Sequence, residues 1–401
     1  MRKGAFRLGL GYFSFLAVFG VSTPYLQILL RGLGYGPAAV GVLLGVFELV
    51  GIASPFFVGK IADSRGRSRP VLAASCLATL AALPLLVLVR GVAATVAGLV
   101  LLAVGLKALA PLMDAVSTNY AESRPELGIR YGNLRAAGSA GFILVALALQ
   151  ALPGFGEGSP ERIALAMGLL AAAFLAYLPL LPETAGGPRR PKPGPAGRRG
   201  FAPGFGLGLA VIALSRVAMA PVSSFFSLYV KEELRWNAVG ALWALGAAAE
   251  IPLMLLAHRI VARLGAMGAI AVSTAAVALR LAVCAAFPSP AGAVAAQLLH
   301  ALCYGLFQPA AVSFVALSAP PERRASAMAL YMSLGVGLPT FLGSALGGLV
   351  VEGSGYRVLF ASYIPFALAS ITLWAAGGKR LAGSPRAPSG GPRPSRRRAD
   401  A

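Results

Sequence analysis

Eight side chains that can carry charge lie inside long apolar stretches of this sequence: Glu48, Lys107, Asp114, Arg135, Arg216, Glu250, Arg280 and His300. An ionisable group at the centre of a membrane span costs roughly 2.5–3.5 kcal/mol on insertion scales, so each needs a partner or a water-filled cavity. Lys107 and Asp114 are seven residues apart, two helical turns, and share one helix face. Asp114 and Arg135 lie at similar depth in consecutive stretches and can meet as a pair. Glu250, Arg280 and His300 fall about 10–20 Å below the opposite surface by helical rise, a candidate midplane cluster. Glu48 and Arg216 carry less and could simply neutralise each other. Groups of this kind bind polar solutes and exchange protons: carboxylates and imidazoles take up and release them, and Arg presents a two-pronged donor to carboxylates.

The elements that must position these groups are spans. The chain has 401 residues, 57% hydrophobic and only 12% charged, against roughly 25% charged in a soluble domain. Twelve spans of about 20 residues fit with loops to spare. We expect an all-α integral membrane fold with spans near 8–30, 38–59, 70–89, 92–118, 131–152, 162–181, 205–230, 238–257, 266–287, 290–318, 326–351 and 356–376. The apolar run after Arg2 and Lys3 exceeds that of a signal peptide and is read as the first span. The three cysteines all sit in apolar stretches, implying neither a disulfide framework nor a zinc site.

The net charge of +21 would suit a nucleic-acid binder, but its distribution points elsewhere. Most Lys and Arg fall in alternate loops, including the N-terminus, 60–69, 189–199 and the tail, whereas the opposite loops hold only Arg31, Arg90, Arg162, Lys231, Arg235 and Arg357. The positive-inside rule then places both termini in the cytoplasm of a multi-pass inner-membrane protein, with no nucleic-acid partner. The Pro/Gly/Arg-rich stretch 182–204 reads as a cytoplasmic linker. It separates an N-terminal six-span bundle, 1–181, from a C-terminal one, 205–376, followed by a disordered basic tail, 377–401. Two six-span halves with a site between them is the layout of a transporter built from repeats.

Between the second and third spans lies GKIADSRGRSR, residues 59–69, in which Gly59, Asp63, Gly66 and Arg67 stand as Gly-x-x-x-Asp-x-x-Gly-Arg. This resembles the cytoplasmic loop motif of the major facilitator superfamily, in the matching loop, with Ser64 where that family usually has Arg or Lys. The resemblance implies two pseudo-symmetric six-helix bundles and a conformational latch built on those four residues. The second-half counterpart, His258–Gly265, is degenerate. A narrower resemblance joins APLMDAVSTNY, YGNLRAAGSAG, AAAEIPLMLLAHRIVARLG, AVALRLAV and QLLHALCYG to the lactose permease and phenylpropionate permease branch. It implies that Asp114 and Arg135 bind substrate and that Glu250, Arg280 and His300 match that branch's buried acid, Arg and His. Two positions depart from the sugar carriers: Cys303 replaces their proton-exchanging acid and Gln297 their Lys. Glu250 and His300 are then the proton-coupling candidates, and Asp114, Arg135, Arg280, His300 and Lys107 the substrate-binding ones.

No phosphate-binding loop occurs, and the fifth span lacks the Gly-Pro motif of the superfamily's drug/proton antiporters. Neither His258 nor His300 is accompanied by a metal-binding or nucleophile motif, which argues against a membrane enzyme; no metal and no cofactor are expected. The aromatics Tyr12, Phe13, Phe15 and Phe19 suit core or lipid contact, and Gly335, Gly337, Gly343, Gly347 and Gly348 close helix packing. The expected protein is a monomeric secondary transporter taking up a small organic solute with protons. The buried cations Lys107, Arg135, Arg216 and Arg280 outnumber the anions Glu48, Asp114 and Glu250, which favours a monocarboxylate. A sugar or nucleoside symporter, a proton-antiport exporter and, in a different class, an integral membrane enzyme or a non-transporting sensor stand as alternatives.

Overall fold

A backbone surrounded by lipid has no water to bond, so each apolar run must satisfy its own amides within a helix. The computed structural model describes residues 2–65, 68–127, 131–152, 155, 158–182, 200–320, 323–378 and 381. Its helices are α1 (Arg2–Gly32), α2 (Pro37–Arg65), α3 (Arg69–Val87), α4 (Val92–Ser123), α5 (Tyr131–Ala151) and α6 (Pro160–Tyr177). There follow α7 (Phe205–Leu228), α8 (Val239–Ala286), α9 (Pro290–Leu298), α10 (Phe307–Ser318), α11 (Arg324–Leu330) and α12 (Leu338–Ala376). Among the described residues ten helical segments are long and apolar enough to cross a membrane, and Val239–Met254 is a shorter apolar helix.

Helices α9 and α10 together form the expected span, Pro290–Ser318, joined by a π-helical turn over Ala301–Leu306. A second π-helical turn, Tyr331–Gly337, joins α11 to α12. Helix α8 contains two expected spans, with the chain turning at Gly265 (φ 74°), and α12 turns likewise at Gly355 (φ 80°). Both turns need a left-handed backbone, which glycine adopts without a Cβ penalty. Helix α4 runs past the expected end at 118, to Ser123. The stretch 183–199 and nearly all of the tail lie outside the described residues, as do Gly66 and Arg67. Gly59 and Asp63 sit on the last turns of α2, but the Asp63 side chain is likewise outside them.

Helix α1 packs on α5 and α6, and α4 on α2 and α3, while α7 and α8 pack on α12. Across the molecule, α2 meets α12 and α5 meets α8. These crossings are close because glycine leaves room for backbone. A Cβ on Gly41 would strike the Ser344 carbonyl oxygen and Gly348, and one on Gly348 would strike the Pro37 carbonyl oxygen. Gly240 approaches the Ala146 carbonyl oxygen in the same way. All these contacts lie at the end of the molecule holding the α1–α2 turn, here called the distal face. Polar bonds fasten that face. Arg31 Nε donates to Glu232 Oε1 at 2.7 Å, and Tyr356 donates to Glu232 Oε2 at 2.6 Å. The Ala38 amide donates to Glu352 at 2.9 Å, Gln150 to the Asn237 carbonyl at 2.6 Å, and the Gly240 amide to Gln150 at 3.0 Å.

Gly41→Leu should therefore pry α2 from α12 and open the distal face. With cysteine at Ala38 as reporter, labelling by a membrane-impermeant maleimide is expected to speed up severalfold; the native Cys76, Cys284 and Cys303 are buried and give little background. An unchanged labelling rate would show that α2 tolerates a side chain there.

Candidate functional site

Opposite the sealed face the helices separate around a cavity of about 2080 Å³. A drug-sized ligand site is roughly 300–1,000 Å³, so this is an open vestibule with a narrower inner end. Its mouth is bounded by the α8 turn, Ala262–Gly268, and by Trp374 and Gly378 near the end of α12. Its inner wall carries Asp114 from α4, Asn133, Arg135 and Ser139 from α5, Glu250 from α8, and Tyr304 and Gln308 from the Pro290–Ser318 rod.

Asp114 sits one turn after Pro111, a residue that removes one backbone hydrogen bond from its helix. Its carboxylate accepts from the Tyr12 hydroxyl at 2.6 Å, and the same hydroxyl lies 3.0 Å from Ser117 Oγ. Tyr12 is fully buried. It is therefore a positioning residue for Asp114, although in the sequence it reads as one aromatic among several. Only its place on α1, facing α4, could have signalled this, and that requires the packing.

Glu250 is half-buried on the cavity wall, and Arg135 from α5 is the charge that acts on it. Gly305 on the π-helical turn makes the space: a Cβ there would lie 3.0 Å from Glu250 Cγ. Such turns are common at functional sites, because the extra residue redirects neighbouring side chains. Nothing in the sequence marks this one.

The expected cluster of Glu250, Arg280 and His300 divides. Among the described residues no ion pair joins Glu250 to Arg280. Arg280 is 1% exposed, and neither it nor His300 lines the cavity. The Arg280 guanidinium bonds His300 Nδ1 at 3.0 Å, bonds Gln297 Oε1, and lies over the Phe226 ring at 5.4 Å. Gln297 in turn donates to the Leu242 carbonyl at 2.9 Å. The Tyr304 ring stacks on His300 at 4.7 Å. An arginine can only donate, so Nδ1 of His300 must be the acceptor in this arrangement. A proton reaches that nitrogen only if Arg280 swings away.

Two further expectations are corrected by partner choice. Lys107 does not line the cavity: its ammonium bonds Glu48 at 2.7 Å and lies over the Phe47 ring at 4.8 Å. Glu48 therefore neutralises Lys107 rather than Arg216. The physical reason is proximity, since α2 and α4 are packed neighbours. Arg216 instead donates to Gln308 Oε1 at 3.0 Å.

A helical bundle with a largely apolar vestibule, sealed at one end and carrying a few charged groups on its inner wall, has the architecture of a membrane carrier. Residues 5–181 and 205–362 match the MFS_1 like family, and the chain belongs to it. It is a multi-pass transporter of the major facilitator type, not an enzyme. Among curated relatives, the probable 3-phenylpropionic acid transporter of Escherichia coli is 26% identical over 369 residues, covering 88% of this chain and 93% of that protein. The maltose permease of Geobacillus stearothermophilus is 28% identical over 350 residues, 85% of each chain. The crystal structure of the nucleoside transporter NupG superposes with a TM-score of 0.75 at 17% identity, covering 95% of this chain and 99% of that one. A POT family transporter in complex with 5-aminolevulinic acid gives 0.74 at 11% identity, covering 94% and 96%.

The Tyr12–Asp114 bond gives a direct check on the site. A hydrogen bond to a buried carboxylate contributes about 1.5–3 kcal/mol. Tyr12→Phe and Asp114→Asn should each destabilise the protein, and the double variant should lose less than the sum by about 1 kcal/mol or more. Equilibrium unfolding in mixed micelles measures this; additive losses would mean the bond contributes nothing.

Proposed function

We propose that this carrier takes up a small organic monocarboxylate together with protons by alternating access. The observation that carries the reading is the vestibule: open at one face, closed at the other, with Asp114, Arg135 and Glu250 on its inner wall. A site that only bound solute would not need a deep acid beside a cation in a low-dielectric wall. In this reading Glu250 is the proton carrier, because it alone of the Glu250, Arg280 and His300 group meets the cavity. His300 is a second relay, gated by Arg280. Asp114 and Arg135 hold the solute; Lys107, Arg280 and His300, the other substrate-binding candidates, act from behind the wall.

The same reading counts twelve spans, taking α8 as two at Gly265 and the α11–α12 segment as two at Gly355. It assigns 1–181 and 205–376 to two pseudo-symmetric six-helix bundles, 182–204 to the linker and 377–401 to the tail. Lys and Arg distribution supports both termini, and the cavity mouth with them, on the cytoplasmic side of an inner membrane. Arg259 and Arg263 next to the α8 turn agree with that side. In this reading the carrier works as a monomer. For the substrate, the surplus of buried cations and the likeness to a probable 3-phenylpropionic acid transporter favour a carboxylate. A neutral sugar is the second reading: Asn133, Ser139 and Gln308 on the wall suit hydroxyl groups, and a maltose permease is among the relatives.

Purified carrier in liposomes under an inward proton gradient tests this. Accumulation of 3-phenylpropionate, blocked by a protonophore, is expected; accumulation of maltose but not of the acid would transfer the assignment to the sugar reading. Glu250→Gln should abolish gradient-driven accumulation while leaving counterflow exchange measurable, and undiminished accumulation would remove Glu250 from coupling. For the latch, Asp63→Asn should slow turnover several-fold with binding affinity unchanged, because that residue biases the conformational equilibrium without touching solute. Equal turnover in both proteins would discard the latch.

A further inference from the structure

Among the described residues Arg216 is a cation without a counter-charge. No carboxylate there lies within ion-pair distance of it, whereas Lys107 holds Glu48 and Arg31 holds Glu232. Of its five guanidinium donors, one N–H of Nη2 reaches the neutral oxygen of Gln308, and the buried Nε makes no hydrogen bond. A half-buried cation with a buried, unbonded Nε is costly, and the cost is relieved when an anion arrives.

The surroundings fix where that anion would sit. The guanidinium lies over the Phe307 ring at 4.6 Å and near the Tyr304 ring at 5.9 Å. Aromatic packing of this kind holds an arginine plane in place while leaving its donating edge free. Gln308 Oε1 is occupied, accepting also from the Tyr331 hydroxyl at 3.3 Å, and its amide nitrogen makes no hydrogen bond among the described residues. Gln308 and Tyr304 both line the vestibule; Arg216 is half-buried directly behind them, bonded to Gln308, and is reached from the vestibule past that side chain. Arg280 offers no such edge: it is buried and bonded to His300 and Gln297.

The geometry points to Arg216 as the carboxylate-docking residue of this carrier, with the amide nitrogen of Gln308 as a second donor. The ligand class is a monocarboxylate with an apolar body, which Ile251 and Met254 on the same cavity wall would accommodate. This inference rests on the monocarboxylate reading and adds to it the residue that selects for charge. A carboxylate meeting two parallel N–H groups of an arginine binds in a defined orientation, which an ammonium in the same place would not impose.

The test compares 3-phenylpropionate with 3-phenylpropionamide, equal in size and neutral, by calorimetric titration of the full-length carrier in detergent. Wild type should prefer the acid about tenfold or more, as expected for a charge-assisted pair. Arg216→Gln should abolish that preference, weakening acid binding far more than amide binding. Arg216→Lys, which keeps the charge but not the fork, should fall between. If Arg216→Gln does not purify as a monodisperse protein, Arg216→Lys and Gln308→Leu carry the comparison, each expected to weaken acid binding several-fold. An undiminished acid preference in the variants overturns the assignment of Arg216 alone. A wild type that binds maltose or uridine but prefers neither acid nor amide overturns the monocarboxylate reading, and the docking role falls with it.

Discussion

Everything in the middle of this molecule depends on the penalty for leaving charge unpaired in lipid. That penalty explains which groups are bound to each other and which face water. Lys107 and Glu48 cancel on the neighbouring helices α4 and α2. Arg280 has no acid beside it among the described residues, and its surroundings substitute a carbonyl-bearing amide, an imidazole nitrogen and an aromatic face. Arg135, Asp114 and Glu250 lie on the vestibule wall. A vestibule is thus the other half of the electrostatic balance: charges on its wall can be hydrated or can meet a solute.

The two faces of the bundle differ in strength for a related reason. The distal seal is made of close glycine crossings and of ion pairs such as Arg31–Glu232, whose side chains remain 32% and 30% exposed. A pair that exposed contributes only about 1 kcal/mol. Van der Waals contact along α2–α12 and α5–α8 adds to it, with Phe341 of α12 pressed against Gly45 of α2 beside the Gly41–Gly348 crossing. Such a seal is strong in number and weak in each member. It can break and reform within a transport cycle, which a seal of deeply buried ion pairs could not do without losing several kcal/mol per charge.

Much of this was legible in the sequence, and the boundary of legibility is physical. Spans follow from composition, because twenty apolar residues have few alternatives in a bilayer. The identity of the intramembrane charges follows too, since each is an exception to that composition. Partner choice does not follow. Helical spacing places Lys107 and Asp114 on one face, but only the packing of α2 on α4 decides that Glu48 reaches Lys107 first. Tyr12 could be recognised as a donor only once α1 was laid against α4. The π-helical turn at Ala301–Leu306 has no compositional mark, and yet it sets the path of Tyr304 and Gly305 relative to Glu250. The turns within α8 and α12 were legible as breaks, since Gly265 and Gly355 fall between expected spans, but nothing in composition marks these two glycines, among many that serve close packing, as the ones with a positive φ.

The substitutions that set this chain apart from the sugar carriers it resembles now form one pattern. Where those carriers have a Lys, Gln297 accepts from Arg280 and donates to the Leu242 carbonyl, so the arginine gains a bond without gaining a like charge beside it. Where they have an acid, Cys303 is buried and neutral space is kept around the same helix. One cation and one anion have been removed together, which leaves the local charge sum unchanged. What changes is freedom. With an acid nearby, Arg280 could trade partners as that acid took up a proton; with neutral partners alone it has no ion pair to exchange. Under the proton coupling proposed above, exchange falls to a group on the cavity wall, and near this cluster that group is Glu250.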